Sequence, residues 1–163
     1  MASPQESYAY WKERLRLDPA NNRVLRMFLI AKGRLGRYDD RMLKYFGVPP
    51  VPNEQVRSFF ARAYGAGLVP TATTNGQHSA HSLHYQGRAG DVGLRSDEIG
   101  TPKGLRKMER FQDSEFKRAR QLGGYTELIG PINDEVILSG VVSPLAEGAP
   151  LENQHDNHVH GGF

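Results

Sequence analysis

The sequence predicts an α+β fold: a small, largely antiparallel sheet flanked by helices, with a helical N-terminal extension. Three observations carry this. Apolar residues recur at helical spacing over much of residues 5–65 and again over 101–122. Short β-branched or alternating stretches lie between and after them, bounded by Gly, Pro and Asn as strands usually are. The two kinds of segment do not follow the regular βαβ order of a doubly wound sheet. At 163 residues the chain has the length of one domain with an adequate core.

Residues 5–17 form the first expected helix, with Tyr8, Trp11 and Leu15 near helical spacing, and Asp18-Pro19 ends it. Asn21-Asn22 caps a second helix through about Lys32, whose apolar face is Val24, Leu25, Phe28 and Leu29. Gly33 and Gly36 loosen the chain before a helical segment from Asp39 to Phe46. The prolines of Gly47-Val48-Pro49-Pro50-Val51-Pro52 exclude both helix and central strand, which divides the chain into a basic helical extension (1–47), a linker (48–52) and a second unit (53–163). Asn53 caps a helix from Glu54 to about Gly65. Strands are expected at 68–74 and 88–94, with a polar loop over 75–82. Thr101-Pro102 opens a helix to about Leu122, with Leu105, Met108, Phe111, Phe116 and Ala119 as core candidates and Gly123-Gly124 as its stop. Further strands are expected at 125–129, 135–138 and 157–160, with Asn133-Asp134 in a turn. Residues 139–154 show no periodicity and read as a long loop.

Composition narrows the function classes. There is no cysteine, so any metal must be held by His, Asp or Glu. No apolar run reaches the roughly 18 residues of a membrane span. The greasy stretch Met27–Ala31 is too short for a signal-peptide core of about 7–15 residues, so no signal peptide is expected. Residues 1–50 hold ten Lys or Arg against five Asp or Glu, while the remainder holds eleven against thirteen. That basic half suits an anionic wall polymer or a virion protein as partner, or simply a solvated helix surface. Nucleic acid is disfavoured, because residues 12–44 lack an aromatic platform or recognised motif.

All six histidines fall in two clusters, His78, His81 and His84, then His155, His158 and His160. Neutral imidazole is the commonest transition-metal ligand, and three ligands with one open position make a hydrolytic site. Asp91 sits in a β pattern, where aspartate is disfavoured and a charge needs a partner. Gly87, Ala89, Gly90 and Gly93 keep that strand slim, so that another group can approach its backbone. On a strand, His158 and His160 share a face, so both can line a pocket, one as ligand and one beside it. Ser82 is either a support for His84 or Asp91 or a hydroxyl closing a local turn. His78 and His81 read as loop residues near the cleft mouth.

These residues carry a resemblance. Ser82-x-His84-x-x-Gly87-x-Ala89-x-Asp91 resembles the signature of the LAS-type zinc metallopeptidases, which include D-alanyl-D-alanine carboxypeptidases and dipeptidases, phage endolysins, murein endopeptidases and hedgehog domains. His155-Asp156-Asn157-His158-Val159-His160 is similar to the closing motif of the murein endopeptidases. The likeness spans residues 54–163. It implies a Zn2+ cofactor held by His84, Asp91 and His160, with His158 a catalytic or supporting histidine. The Glu that many relatives use as general base is missing from its place. His155 stands where the murein endopeptidase type has a histidine, and becomes the base candidate, with Glu152 and Asp156 in reserve. Thr71–Gln77 lacks the arginine with which relatives grip a free carboxylate, which argues against carboxypeptidase or dipeptidase specificity.

The resemblance therefore implies a zinc metallopeptidase acting on bacterial peptidoglycan. As a phage endolysin it would stay in the host cytoplasm until released to the wall; as a virion-associated lysin it would travel with the particle. The rival expectation is a metal-binding, non-catalytic module, or a structural virion protein with a vestigial site. A base within reach of the metal separates the two.

Overall fold

The computed structural model describes the chain apart from residues 132, 133 and 147 and the side chains of 152 and 153. Asn133 of the expected turn therefore lies outside the described residues. Helices α1 (Pro4–Leu17), α2 (Asn22–Arg34), α3 (Arg41–Lys44) and α4 (Glu54–Gly65) precede strands β1 (Val69–Ala72) and β2 (Ala89–Gly93). Then follow α5 (Pro102–Leu122), β3 (Glu127–Ile129), β4 (Glu135–Leu138), β5 (Val141–Pro144), α6 (Pro150–Gln154) and β6 (His158–Gly162). The strands form one sheet in the order β1-β2-β6-β3-β4-β5, and every neighbouring pair is antiparallel. The α+β class is as expected.

The helix starts follow capping chemistry. Asn21 and Asn53 each accept backbone N–H groups of the following turn, and Thr101 accepts from Gly104. Ser3 and Glu6 complete a reciprocal capping box at α1. None of the described helices is long and apolar enough to cross a membrane.

The sheet has two unlike faces. On one, Val92, Leu128, Ile137 and Val159 pack with Phe59 and Phe60 of α4 and Met108, Phe111 and Phe116 of α5 in the main core. Gly90 and Gly161 stand on this face because the rings come so close: a Cβ on Gly90 would lie 2.5 Å from Phe60, and one on Gly161 2.9 Å from Phe59. The slim strand thus admits Phe60 of the chain itself. The opposite face, carrying Asp91, His158 and His160, opens into a cleft.

The N-terminal helices are tied to α4. Tyr8, Trp11 and Leu15 of α1 pack against Phe28, Leu29, Met42 and Tyr64. Gly33 lies inside α2, where its backbone crosses α4: a Cβ there would meet the Ala61 carbonyl oxygen at 2.4 Å. Val48 and Val51 of the proline-rich segment are buried in the main core.

Two elements replace the loop expected over 139–154. Ser139 and Gly140, with φ of 50° and 77°, form a two-residue turn of the kind that suits hairpins, so β5 pairs back on β4 with Leu138 opposite Val141. The five-residue α6 follows, too short to show a period. Leu105, an expected core residue, is 59% exposed. The buried stripe of α5 runs through Gly104, Met108, Phe111, Gln112, Glu115, Phe116 and Ala119, and Leu105 falls outside it.

Candidate metal centre

Asp91 and His160 face each other across the β2–β6 pairing, Cα partner to Cα partner, so the sheet register brings residues 69 positions apart into contact. His84 arrives from the turn preceding β2. There Gly87 N–H donates to the His84 carbonyl and Arg88 N–H to Leu83, and Gly87 has a φ of +67°, which a side chain would strain. The His84-x-x-Gly87 spacing is the length of that turn. Ser82 Oγ accepts the His84 backbone N–H at 3.2 Å, so the local turn bond is the role the structure gives it.

The three side chains make a tight triangle. His160 Nδ1 lies 2.9 Å from Asp91 Oδ1, His84 Nε2 lies 3.1 Å from His160 Nδ1, and His84 Nε2 lies 3.2 Å from Asp91 Oδ1. All three are buried. Tetrahedral zinc with ligand bonds of about 2.0–2.1 Å sets its ligand atoms about 3.3 Å apart. The triangle is close to that spacing, and two imidazoles with one carboxylate are a suitable donor set. These residues could hold a metal ion.

Each candidate ligand histidine is oriented by an acceptor on its far nitrogen. His84 Nδ1 donates to the Thr73 carbonyl, leaving Nε2 turned to the triangle. Thr73 is itself anchored, its Oγ1 donating to the Pro49 carbonyl at 2.8 Å. His160 Nε2 donates to Glu127 Oε2 at 2.8 Å, leaving Nδ1 for the metal position. Such acceptor–histidine–metal relays orient ligands and raise their basicity.

The charges follow the contacts. Burial would raise Asp91, yet hydrogen bonds from His160 and His84 hold it well below the usual carboxylate range. Burial pulls His160 down, but its bonds to Asp91 and Glu127 outweigh this and raise it to about 9. Without a metal, His160 is therefore an imidazolium at neutral pH. Glu127 is lowered, chiefly by the hydrogen bond with His160.

The remaining histidines line the same open cleft of about 640 Å³. His78 stacks on His84 with ring centroids 3.9 Å apart, and His81 stands at the rim. His155 Nδ1 donates to the Leu151 carbonyl at 2.7 Å, which leaves the lone pair on Nε2, without a hydrogen-bond partner among the described residues, and its ring lies 5.7 Å from that of His160. His158 Nδ1 meets Asn157 Oδ1 at 2.8 Å, and its Nε2 is 3.8 Å from Asp91 Oδ2. Burial lowers the pKa of both His155 and His158. Asp156 lines a neighbouring apolar depression instead of the cleft. The Glu152 side chain lies outside the described residues.

Glu127 is the site residue that sequence reasoning missed. Its signal was the one used for Asp91, a carboxylate inside an expected strand. No protein-family model matches the chain, nor does any curated protein or solved structure.

Proposed function

We propose that the chain is a zinc-dependent peptidase that hydrolyses stem or cross-link peptides of bacterial peptidoglycan, as an endolysin or virion-associated lysin. The observation that supports it best is the triangle itself. Three residues singled out by two motifs at opposite ends of the domain meet with edges of 2.9–3.2 Å at the floor of an open cleft.

When bound, zinc would acidify a water molecule and polarise the scissile carbonyl. His84, Asp91 and His160 hold the ion. His155 is the general base: neutral because burial lowers its pKa, and with its lone pair on Nε2, it accepts the proton of the attacking water and returns it to the leaving amine. His158 faces the same opening with its Nδ1–H held by Asn157 Oδ1, and it supports the carbonyl oxygen when Nε2 also carries a proton. Glu127 holds the His160 ring. The base candidate is also what favours an enzyme over a metal-binding module without catalysis.

The test is digestion of purified peptidoglycan with and without chelator, followed by mass analysis of released fragments. His84→Ala and Asp91→Ala should lose both zinc and fragment release. His155→Gln should keep zinc but release fragments about 10²–10⁴-fold more slowly. Undiminished release by His84→Ala, or by chelated wild type, would overturn the mechanism.

A further inference from the structure

A second cavity, of about 690 Å³, lies where α2 meets the exposed edge of the sheet. Arg23 and Arg26 of α2 line it, with Arg95 just beyond β2 and the exposed aromatics Tyr45 and Phe46. No Asp or Glu is among its described lining residues.

Five of the other eight cations of residues 1–50 are committed. Arg16 pairs with Glu13, Lys32 and Arg41 with Asp39, Arg34 with the Gly65 carbonyl, and Arg37 lies over Tyr8. Arg23 and Arg26, by contrast, make no ion pair or side-chain hydrogen bond among the described residues, although Arg26 is half-buried. Arg95 spends its Nε on Asp97 at 3.1 Å, while its Nη1 is buried without a hydrogen-bond partner. A buried guanidinium N–H group without an acceptor is costly, and an oxyanion is the group that would complete it.

We infer that Arg23, Arg26 and Arg95 form a binding site for a phosphodiester polymer. Three guanidiniums with a single flanking carboxylate exceed what one substrate carboxylate would neutralise. Arg23 and Arg26, three apart on one helix, are neighbours on its surface and present charges in series. Tyr45 and Phe46, exposed in its lining, suit contact with the C–H groups of a polyol or sugar between phosphates. The cavity adjoins a second one. It shares Thr71 and Leu94 with an apolar depression whose wall includes Asn157, the residue before His158. A polymer held at the arginines would keep the cleft against the wall; that wall assignment rests on the peptidase reading, while the anion site does not.

Binding is tested on the His84→Ala protein, so that loss of catalysis cannot affect the result. The probe is a purified glycerol-phosphate polymer at low salt, with single-stranded DNA of equal charge and inorganic phosphate as competitors. Saturable binding that weakens at least tenfold in Arg26→Gln and in Arg95→Gln, and that millimolar phosphate competes away, is the expected result. If Arg95→Gln fails to fold, the exposed Arg23→Gln combined with Arg26→Gln carries the same expectation. Absent binding, binding unchanged by these substitutions, or tighter binding of DNA would each overturn the proposal. In the catalytically intact chain, Arg26→Gln should slow release from intact walls while leaving cleavage of a small soluble muropeptide unchanged.

Discussion

Among the described residues Glu127 makes one side-chain hydrogen bond, to His160, and that bond defines what it does. A carboxylate can only accept from His160 Nε2, so the proton stays there and Nδ1 remains the donor to a metal. Glu127→Ala removes the acceptor and should weaken zinc binding by about 10–100-fold, measured by competition with a chromophoric chelator. Glu127→Gln keeps an oxygen at the same place without the charge, so its loss should be clearly smaller. Equal losses in the two variants would mean that the charge itself, as in a direct ligand, is what matters. The same scale explains why Glu127 escaped sequence reasoning: it belongs to neither histidine cluster, and only the β3–β6 pairing carries it beside His160, with Ile129 opposite that residue.

At the scale of elements, the centre depends on β2 being pressed from behind while it presents Asp91 in front. Phe60 is fully buried and cannot yield, so Gly90→Ala should destabilise the fold by about 1–3 kcal/mol in urea unfolding, and Phe60→Leu should restore part of it. Zinc affinity in the folded Gly90→Ala fraction should change much less, since Asp91 projects from the other face. A loss of metal without a loss of stability would contradict this division of the faces. Elements long enough to show a period were legible in the sequence: α2, α4 and α5 begin at or within a residue of the positions their caps predict, and α1 within a residue of the start its periodicity predicts. Strand β5 and helix α6 were not, because a four-residue, mostly exposed strand and a five-residue turn of helix carry no pattern of their own. Nor could periodicity show that Gly90 and Gly161 make room for α4, or that Pro49 supports His84 through Thr73, since both depend on tertiary contact. The candidate triad was picked out by its resemblance to a known motif, and its spacing fits local constraints, a four-residue turn at His84 and alternation along two strands.

For the molecule as a whole, the buried triangle makes stability, pH and metal inseparable. His160 is raised from 6.5 to about 9 on folding, so it favours the native state most fully below pH 6.5, and that contribution is lost as pH rises through 9. Asp91 is depressed, so its contribution is present above its unfolded value of 3.8 and disappears as acid protonates the folded carboxylate. Below pH 6.5 the lowered His155 and His158 oppose folding, because they charge more readily in the unfolded chain, so the chelated protein should be most stable near pH 6.5. Its Tm should fall by about 5–10 °C between pH 6.5 and pH 9.5. Metal reverses the sign, because the ion needs the Nδ1 lone pair that the proton occupies. Each zinc bound at pH 7 should release about one proton, and affinity should rise with pH until His160 no longer titrates. Thermal unfolding with chelator and with excess zinc, at pH 6 and pH 9, separates the two curves. The zinc-induced rise in Tm should be larger at the higher pH, both because the metal-free state has lost its imidazolium–carboxylate contacts and because no proton remains to be displaced. A chelated protein more stable at pH 9 than at pH 6 would show that His160 is not held as an imidazolium between Asp91 and Glu127.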